Sequence, residues 1–363
     1  MRRIAIVGAG PAGSSAGYHL AARGFDVALI DRAEFPRDKV CGDWIPHGAL
    51  REIARMGIDA AALEGATPIR RSALVAPSGT GTHAALRQPA CCIRRRVLDA
   101  TLRERALAAG CRALRHDVRL DEPLDGYDVV IDARGAHADA ANAVGLRAYW
   151  HVPRDAMTAA DRATVRIVTD GAFPRGYGWI FPLDDDGGTV RVNVGVGMLR
   201  ADARRGYTVR EFMDRFTSLD PLLRRLASVA RQKERPLGYH VGLGGWRSGA
   251  GDARALRIGD AANLADPLTG DGIGNALRSG YLVAEAVASS RSGAEALSRW
   301  RRAHARHFAG DLRRALALRW LLQPTGAKNA AARVLACSAV ARERLHAALF
   351  GETSYRGLLL PRA

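Results

Sequence analysis

The chain has 363 residues, 48% hydrophobic and 25% charged, enough for a large core and two interleaved domains. Its net charge of +17 comes almost wholly from arginine, with lysine only at 39, 233 and 328; this suits anionic substrates, an acidic carrier or an acidic lipid surface, and no motif or aromatic–basic platform points to nucleic acid. The five cysteines (41, 91, 92, 111, 337) form no metal-ligand cluster, no apolar run reaches transmembrane length, and the odd thiol count with no leader predicts a reduced, cytoplasmic protein without a metal site.

Residues 2–31 read as strand, glycine turn, helix, strand. IAIVG is a continuous apolar run suited to a strand buried on both faces. It leads into Gly8-Ala9-Gly10-Pro11-Ala12-Gly13, where Gly8 permits the tight turn, Gly10 lets the backbone approach a pyrophosphate, and Gly13 lets the helix pack close to the strand. The helix is predicted from Pro11 to about Arg23, with its free N–H groups facing the phosphates and Gly24 at its end. The next strand, DVALID, ends at Asp31, placed to bind ribose hydroxyls, with Arg32 beside it. An acid at this position favours an unphosphorylated ribose, hence FAD or NAD.

The stretch FPRDKVCGDWIPHG (35–48) carries a lone Cys41. A metal role lacks partner ligands. A nucleophile needs a base, which His47 could supply, but no triad is visible; packing as a small hydrophobe stays open. The other four cysteines read as core residues. RRSALVAP (70–77), LRAYWHVP (146–153), TVRIVT (164–169), GYGWIFPL (176–183) and GTVRVNVGVG (188–197) read as strands of one inserted sheet, with a hairpin turn at 184–188. The two-residue period puts Tyr177, Trp179 and Phe181 on one face, as an apolar wall for a substrate.

Further on, ALRIGDAA reads as a strand entering a turn, with the Gly259-Asp260 carboxylate placed to accept from a ribityl chain. Pro267 and Gly270-Asp271-Gly272-Ile273-Gly274 then open the helix NALRSGYLVAEAVAS, whose N-terminus would favour negative charge on a cofactor. The remaining residues read as helices mixing apolar and basic side chains, expected to pack on the nucleotide domain; capping the pocket or touching an acidic membrane are the alternatives.

GAGPAG, PRDKVCG, Arg95 in RRRVLDATL, YGWIFP and GDAANLADPLTGDGI together resemble the FAD-dependent oxidoreductases of the aromatic-hydroxylase fold, and within them the geranylgeranyl reductase family. The matches span residues 1 to about 285. The resemblance implies an α/β protein: a Rossmann-like FAD-binding domain of the glutathione-reductase type (1–69, 91–143, 251–285), an inserted, mostly antiparallel β-sheet substrate domain (70–90, 144–250) and C-terminal helices (286–363). It implies FAD contacts from Arg95 and places Lys39 and Cys41 near the flavin or substrate; Cys41 and Asp271 stand as candidate catalytic residues. NAD(P)H is implied as a transient electron donor, although Asp132-Ala133-Arg134-Gly135 departs from the turn that positions it in relatives. The expected activity is reduction of a C=C bond in an isoprenoid or other apolar substrate, free or carrier-tethered. An FAD-dependent monooxygenase is the alternative, while a halogenase finds its WxWxIP segment only half matched and no lysine between 40 and 232.

Overall fold

Ile4, Ala5, Ile6 and Val7 are buried because their strand, Arg3–Val7, lies in the middle of a five-stranded parallel sheet. The strand order is Leu256–Arg257, Val129–Asp132, Arg3–Val7, Asp26–Asp31, Arg112–Arg115, with Ile4 registered against both Val27 and Val129. The computed structural model describes residues 2–119, 122–136, 141–173, 175–203, 206, 208–244 and 249–359; residues 245–248 and 360–363, at the ends of two expected regions, lie outside it. The first helix runs Pro11–Ala21, ending short of Arg23 because the chain turns at Gly24, whose φ is +82° and whose N–H bonds the Ala21 carbonyl at 2.8 Å.

The second sheet has nine strands and is mostly antiparallel. Its centre is the hairpin Tyr177–Asp185 and Thr189–Leu199, flanked by Ala143–Pro153 and Thr164–Val168. Thr67–Val75 joins Thr164–Val168 in parallel and pairs antiparallel with Gly81–Cys92, so this sheet starts before residue 70 and ends after residue 90. The two-residue period holds: Ile180, Val192, Val194 and Val196 face the helix Val209–Leu219 and pack on Phe212 and Phe216. Each such buried side chain contributes roughly 1.5–3 kcal/mol.

The helix Ile273–Ala288 crosses the first helix at close range. A Cβ on Gly280 would stand 2.5 Å from the Ala12 carbonyl oxygen, and Ser15 Oγ donates to the Leu277 carbonyl at 2.7 Å. The crossing brings two helix starts, more than 250 residues apart in sequence, to one side of the parallel sheet.

The C-terminal region divides, correcting the expectation that it packs on the nucleotide domain alone. Gly293–His307 does so, with buried Trp300 donating to the Arg257 carbonyl at 3.0 Å. Thr325–Cys337 and Ala339–Leu349 instead pack on the strand Gly81–Cys92. His346 makes the joint, its ring nitrogens 2.7 Å from Ser72 Oγ and 3.1 Å from Thr82 Oγ1. Cys91, Cys92 and Cys111 are buried as expected of core residues, but Cys337, the last residue of its helix, is exposed, while Ala332 and Leu335 are the residues that this helix buries.

Candidate active site

Both helix starts open into one cavity of about 670 Å³ lying between the two sheets. At the first, three glycines do three different things. Gly8 has φ +103°, and a Cβ there would stand 2.3 Å from the Ala133 carbonyl oxygen; a Cβ on Gly13 would stand 1.8 Å from the Gly8 oxygen. Gly8 therefore makes the turn and Gly13 the close helix packing, away from the cavity wall. Gly10 lines the cavity with Gly8, Pro11 and Ala12, and the nearest atom to a Cβ on it is Arg37 Nη2 at 3.6 Å.

Asp31 and Arg32 line the same end. The Asp31 carboxylate takes one backbone N–H on each oxygen, from Ala9 at 2.7 Å and Ala33 at 2.8 Å, and each oxygen keeps a lone pair for a ribose hydroxyl. Arg95 reaches the wall from the first turn of the helix Arg95–Ala108, forked onto buried Asp99 at 2.7 and 2.8 Å. Arg37, which sequence reasoning missed, bonds the same Asp99 at 3.0 Å and lies over the Phe35 ring. Its signal was its place two residues before Lys39 in the matched segment. In the departing turn, Arg134 folds back onto Asp132 at 3.0 Å.

The second helix start contributes Asp260, Pro267, Gly270, Asp271, Gly272 and Ile273 to the wall. Gly259 and Gly274 do not belong to it, which corrects their reading as cofactor contacts. A Cβ on Gly259 would meet Ala12 Cβ at 2.8 Å, which makes it a packing glycine; Gly274 faces Ala49, where a Cβ would stand in ordinary contact at 3.5 Å. Asp260 pairs with Lys39 at 3.4 Å, and Lys39 also stands 4.8 Å from the Tyr239 ring centre. Asp271 accepts the Ile273 N–H at 3.2 Å. Burial, with Asp266 and Asp260 close by, pushes its carboxyl up to about 7.

That shift has a stability consequence. Between the ordinary carboxylate range and about pH 7 the unfolded chain has lost a proton that the cofactor-free fold retains at Asp271, so stability falls as pH rises through this window. Asp271→Asn keeps the acceptor for Ile273 without the charge. The cofactor-free variant should melt higher than the parent above about pH 7 and converge with it near pH 4 in a thermal scan; parallel curves at every pH would refute the shift.

Tyr177, Trp179 and Phe181 all line the cavity, with ring centres 6.1 and 6.4 Å apart along the row. Trp179 lies flat across its neighbour strand, where a Cβ on Gly195 would stand 2.1 Å from its ring. Tyr177 donates its hydroxyl to the Thr269 carbonyl, tying the wall to the second helix start. Cys41 also lines the cavity, and burial pushes its thiol up, so the thiolate a nucleophile needs is disfavoured. Sequence reasoning missed three polar residues behind this wall, Asp43, Tyr149 and Asn193. Asn193 had a signal: a lone amide among valines, in the same alternation as Gly195.

The family model described as FAD dependent oxidoreductase matches residues 3–52. The chain is 32% identical over 330 residues to a menaquinone reductase of Mycolicibacterium smegmatis, covering 79% of this chain and 76% of that protein. It is 27% identical to a digeranylgeranylglycerophospholipid reductase of Methanococcus vannielii, covering 85% of each. The chain belongs to the geranylgeranyl reductase family of FAD-dependent oxidoreductases. Among solved structures, a geranylgeranyl bacteriochlorophyll reductase-like protein of Thermoplasma acidophilum superposes on this family member with TM-score 0.76 at 20% identity, over 92% of this chain and 91% of that one. A flavin-dependent brominase shares the fold at TM-score 0.69 and 18% identity, over 88% and 86%.

The residues present fit FAD. Gly10 leaves open a cradle that a side chain would fill, two helix N-termini face one space, and Asp31 keeps acceptors toward it. Gly8 and Gly10 with Pro11 would hold the pyrophosphate, Asp31 the ribose, and Gly270 to Ile273 the ring end. This family member is an FAD-dependent oxidoreductase whose cavity also carries a row of aromatic side chains. Among the described residues no helix is long and apolar enough to cross a membrane.

Proposed function

We propose that the protein reduces a C=C bond in the isoprenoid part of an apolar substrate, with NAD(P)H as a transient electron donor. FAD, when bound and reduced, supplies the hydride. The observation that carries the reading is the lining of the cavity: beside the cofactor-binding residues it holds Tyr177, Trp179, Phe181 and Trp44 together with Leu335, Leu345, Leu349 and Phe350. A chain-like hydrocarbon fits so apolar a wall, and the side chains there exclude water and orient it. Reduction also needs a proton, and two wall groups hold one near neutral pH: the Cys41 thiol, kept protonated by burial, and the Asp271 carboxyl at about 7.

Product mass tests the reading. Anaerobic incubation with NADH or NADPH and a menaquinone or a geranylgeranyl lipid should yield a product heavier by two hydrogens. In a parallel incubation under ¹⁸O₂, incorporation of ¹⁸O into the product would overturn the reductase reading in favour of a monooxygenase. Anaerobic bleaching of the flavin by NADH or NADPH reports the donor separately; bleaching by dithionite alone would remove the nicotinamide from the scheme.

A further inference from the structure

The loop Asp38–Asp43 touches both halves of the site. Lys39 reaches Asp260 on the cofactor side, and a Cβ on Gly42 would stand 3.0 Å from Phe181 and 3.5 Å from Trp179 Nε1 on the substrate side. Three side chains of the substrate sheet hold this loop: Arg147 donates to Asp38 at 2.6 Å, the Tyr149 hydroxyl donates to Asp43 at 2.7 Å, and Asn193 alone also reaches the cavity wall. Trp179 Nε1–H can only donate, so the Asn193 atom 2.8 Å from it is the carbonyl oxygen Oδ1. Both N–H bonds of Asn193 are then free for the Cys41 carbonyl at 2.8 Å and for Asp43 Oδ2 at 2.8 Å.

Asn193 and Asp43 are fully buried, so every one of these bonds is made within the protein. Asp43 sits at φ +62°, uncommon for a residue with a side chain, and also accepts from the Tyr149 hydroxyl at 2.7 Å and the Arg95 N–H at 3.2 Å. An orphaned buried donor or acceptor costs about 1–3 kcal/mol, so the arrangement holds only while each partner is present. Its effect is to bond one amide to the Cys41 backbone and to the Trp179 ring at once.

The geometry points to Asn193 as a positioning residue, which sets the spacing between Cys41 and Trp179 in the cavity wall, with Asp43 as its fixed counterpart. It touches neither substrate nor cofactor and acts through the two wall residues. The inference rests on the proposed function only in that substrate lies against Trp179.

Asn193→Asp tests it. A carboxylate at 193 still accepts from Trp179, but when ionised it donates to neither Cys41 nor Asp43, and two facing carboxylates repel until they share a proton. The charged and titratable groups facing Asp43 are Arg95, Arg147, Tyr149 and the thiols of Cys41 and Cys92. Two readouts apply. In cofactor-free protein, Trp179 emission is obtained by subtracting the matching Trp179→Phe variant; it should shift red at about pH 8 and return at about pH 5.5. In holoenzyme, kcat should fall about tenfold or more at the higher pH, with a smaller change in KM, and recover at the lower.

The exchanged pair Asp43→Asn/Asn193→Asp restores the bond between the two residues but not the one to Cys41. Its Trp179 emission should follow the parent's at both pH values, with kcat only partly recovered. Parent-like emission and kcat in Asn193→Asp at both pH values would overturn the proposal, as would equal losses in the single and exchanged variants at both. If Asn193→Asp does not fold, the exchanged variant decides alone: parent-like emission at both pH values supports the proposal and its loss overturns it. Failure of the parent to reduce any C=C substrate would sink the functional reading, while the emission experiment still decides on Asn193.

Discussion

Gly10→Val is expected to yield a folded, colourless protein. The backbone at Gly10 has φ −74° and ψ −171°, an extended conformation that valine prefers, and nothing but the movable end of Arg37 lies within 4 Å of a Cβ there. A Cβ therefore fits without a clash, with only the movable Arg37 end to give way to the methyl groups, and the side chain projects into the space where backbone N–H groups would meet the pyrophosphate. FAD retention should fall by at least about a hundredfold while the melting temperature of the cofactor-free protein moves by no more than about 2 °C. Full FAD content in the purified variant would show that the cradle is not the pyrophosphate site. Gly8→Ala makes the control. At φ +103°, with a carbonyl oxygen 2.3 Å from the new Cβ, it should lower stability itself, so its loss of flavin would carry no such meaning.

Asp99→Ala should bring a large loss of stability. Asp99 is fully buried, forked onto Arg95, which is 4% exposed, and bonded to Arg37 at 3.0 Å. Removing it leaves a buried guanidinium without its counter-charge, which costs about 3–5 kcal/mol. The exposed pair Arg115–Glu34, at 3.4 Å, gives the scale: its removal should cost less than about 1 kcal/mol. Denaturant melts of the cofactor-free protein measure both, and a cost under about 1 kcal/mol for Asp99→Ala would refute the buried-pair account. FAD affinity should drop as well, because Asp99 aims both Arg95 and Arg37 at the cofactor end of the cavity.

The local features of the site were legible before any coordinates. Apolar run, glycine turn, helix and terminal acid are consecutive in the chain, and each is set by short-range sterics: a positive φ at Gly8, a close approach at Gly13, an open backbone at Gly10. The aromatic wall was legible for the same reason, since Tyr177, Trp179 and Phe181 share a face by strand geometry alone. Gly259 and Gly274 were misread because a glycine beside a helix start looks the same in sequence whether its open side faces a cofactor or another helix.

The sequence by itself determined the parallel nucleotide-binding unit, the alternating face of the inserted sheet and the family. All of these depend on residues within a turn or a strand of one another, or on motifs that keep their spacing. Only the tertiary structure decided that Asp99 serves two arginines, that Asn193 joins the Cys41 loop to Trp179, and that side chains of the last helices line the cavity. Arg37 and Asp99 are 62 residues apart, Cys41 and Asn193 152, and Ser72 and His346 274. Contacts at such separations arise from how packed elements meet, and no periodicity or local propensity records them.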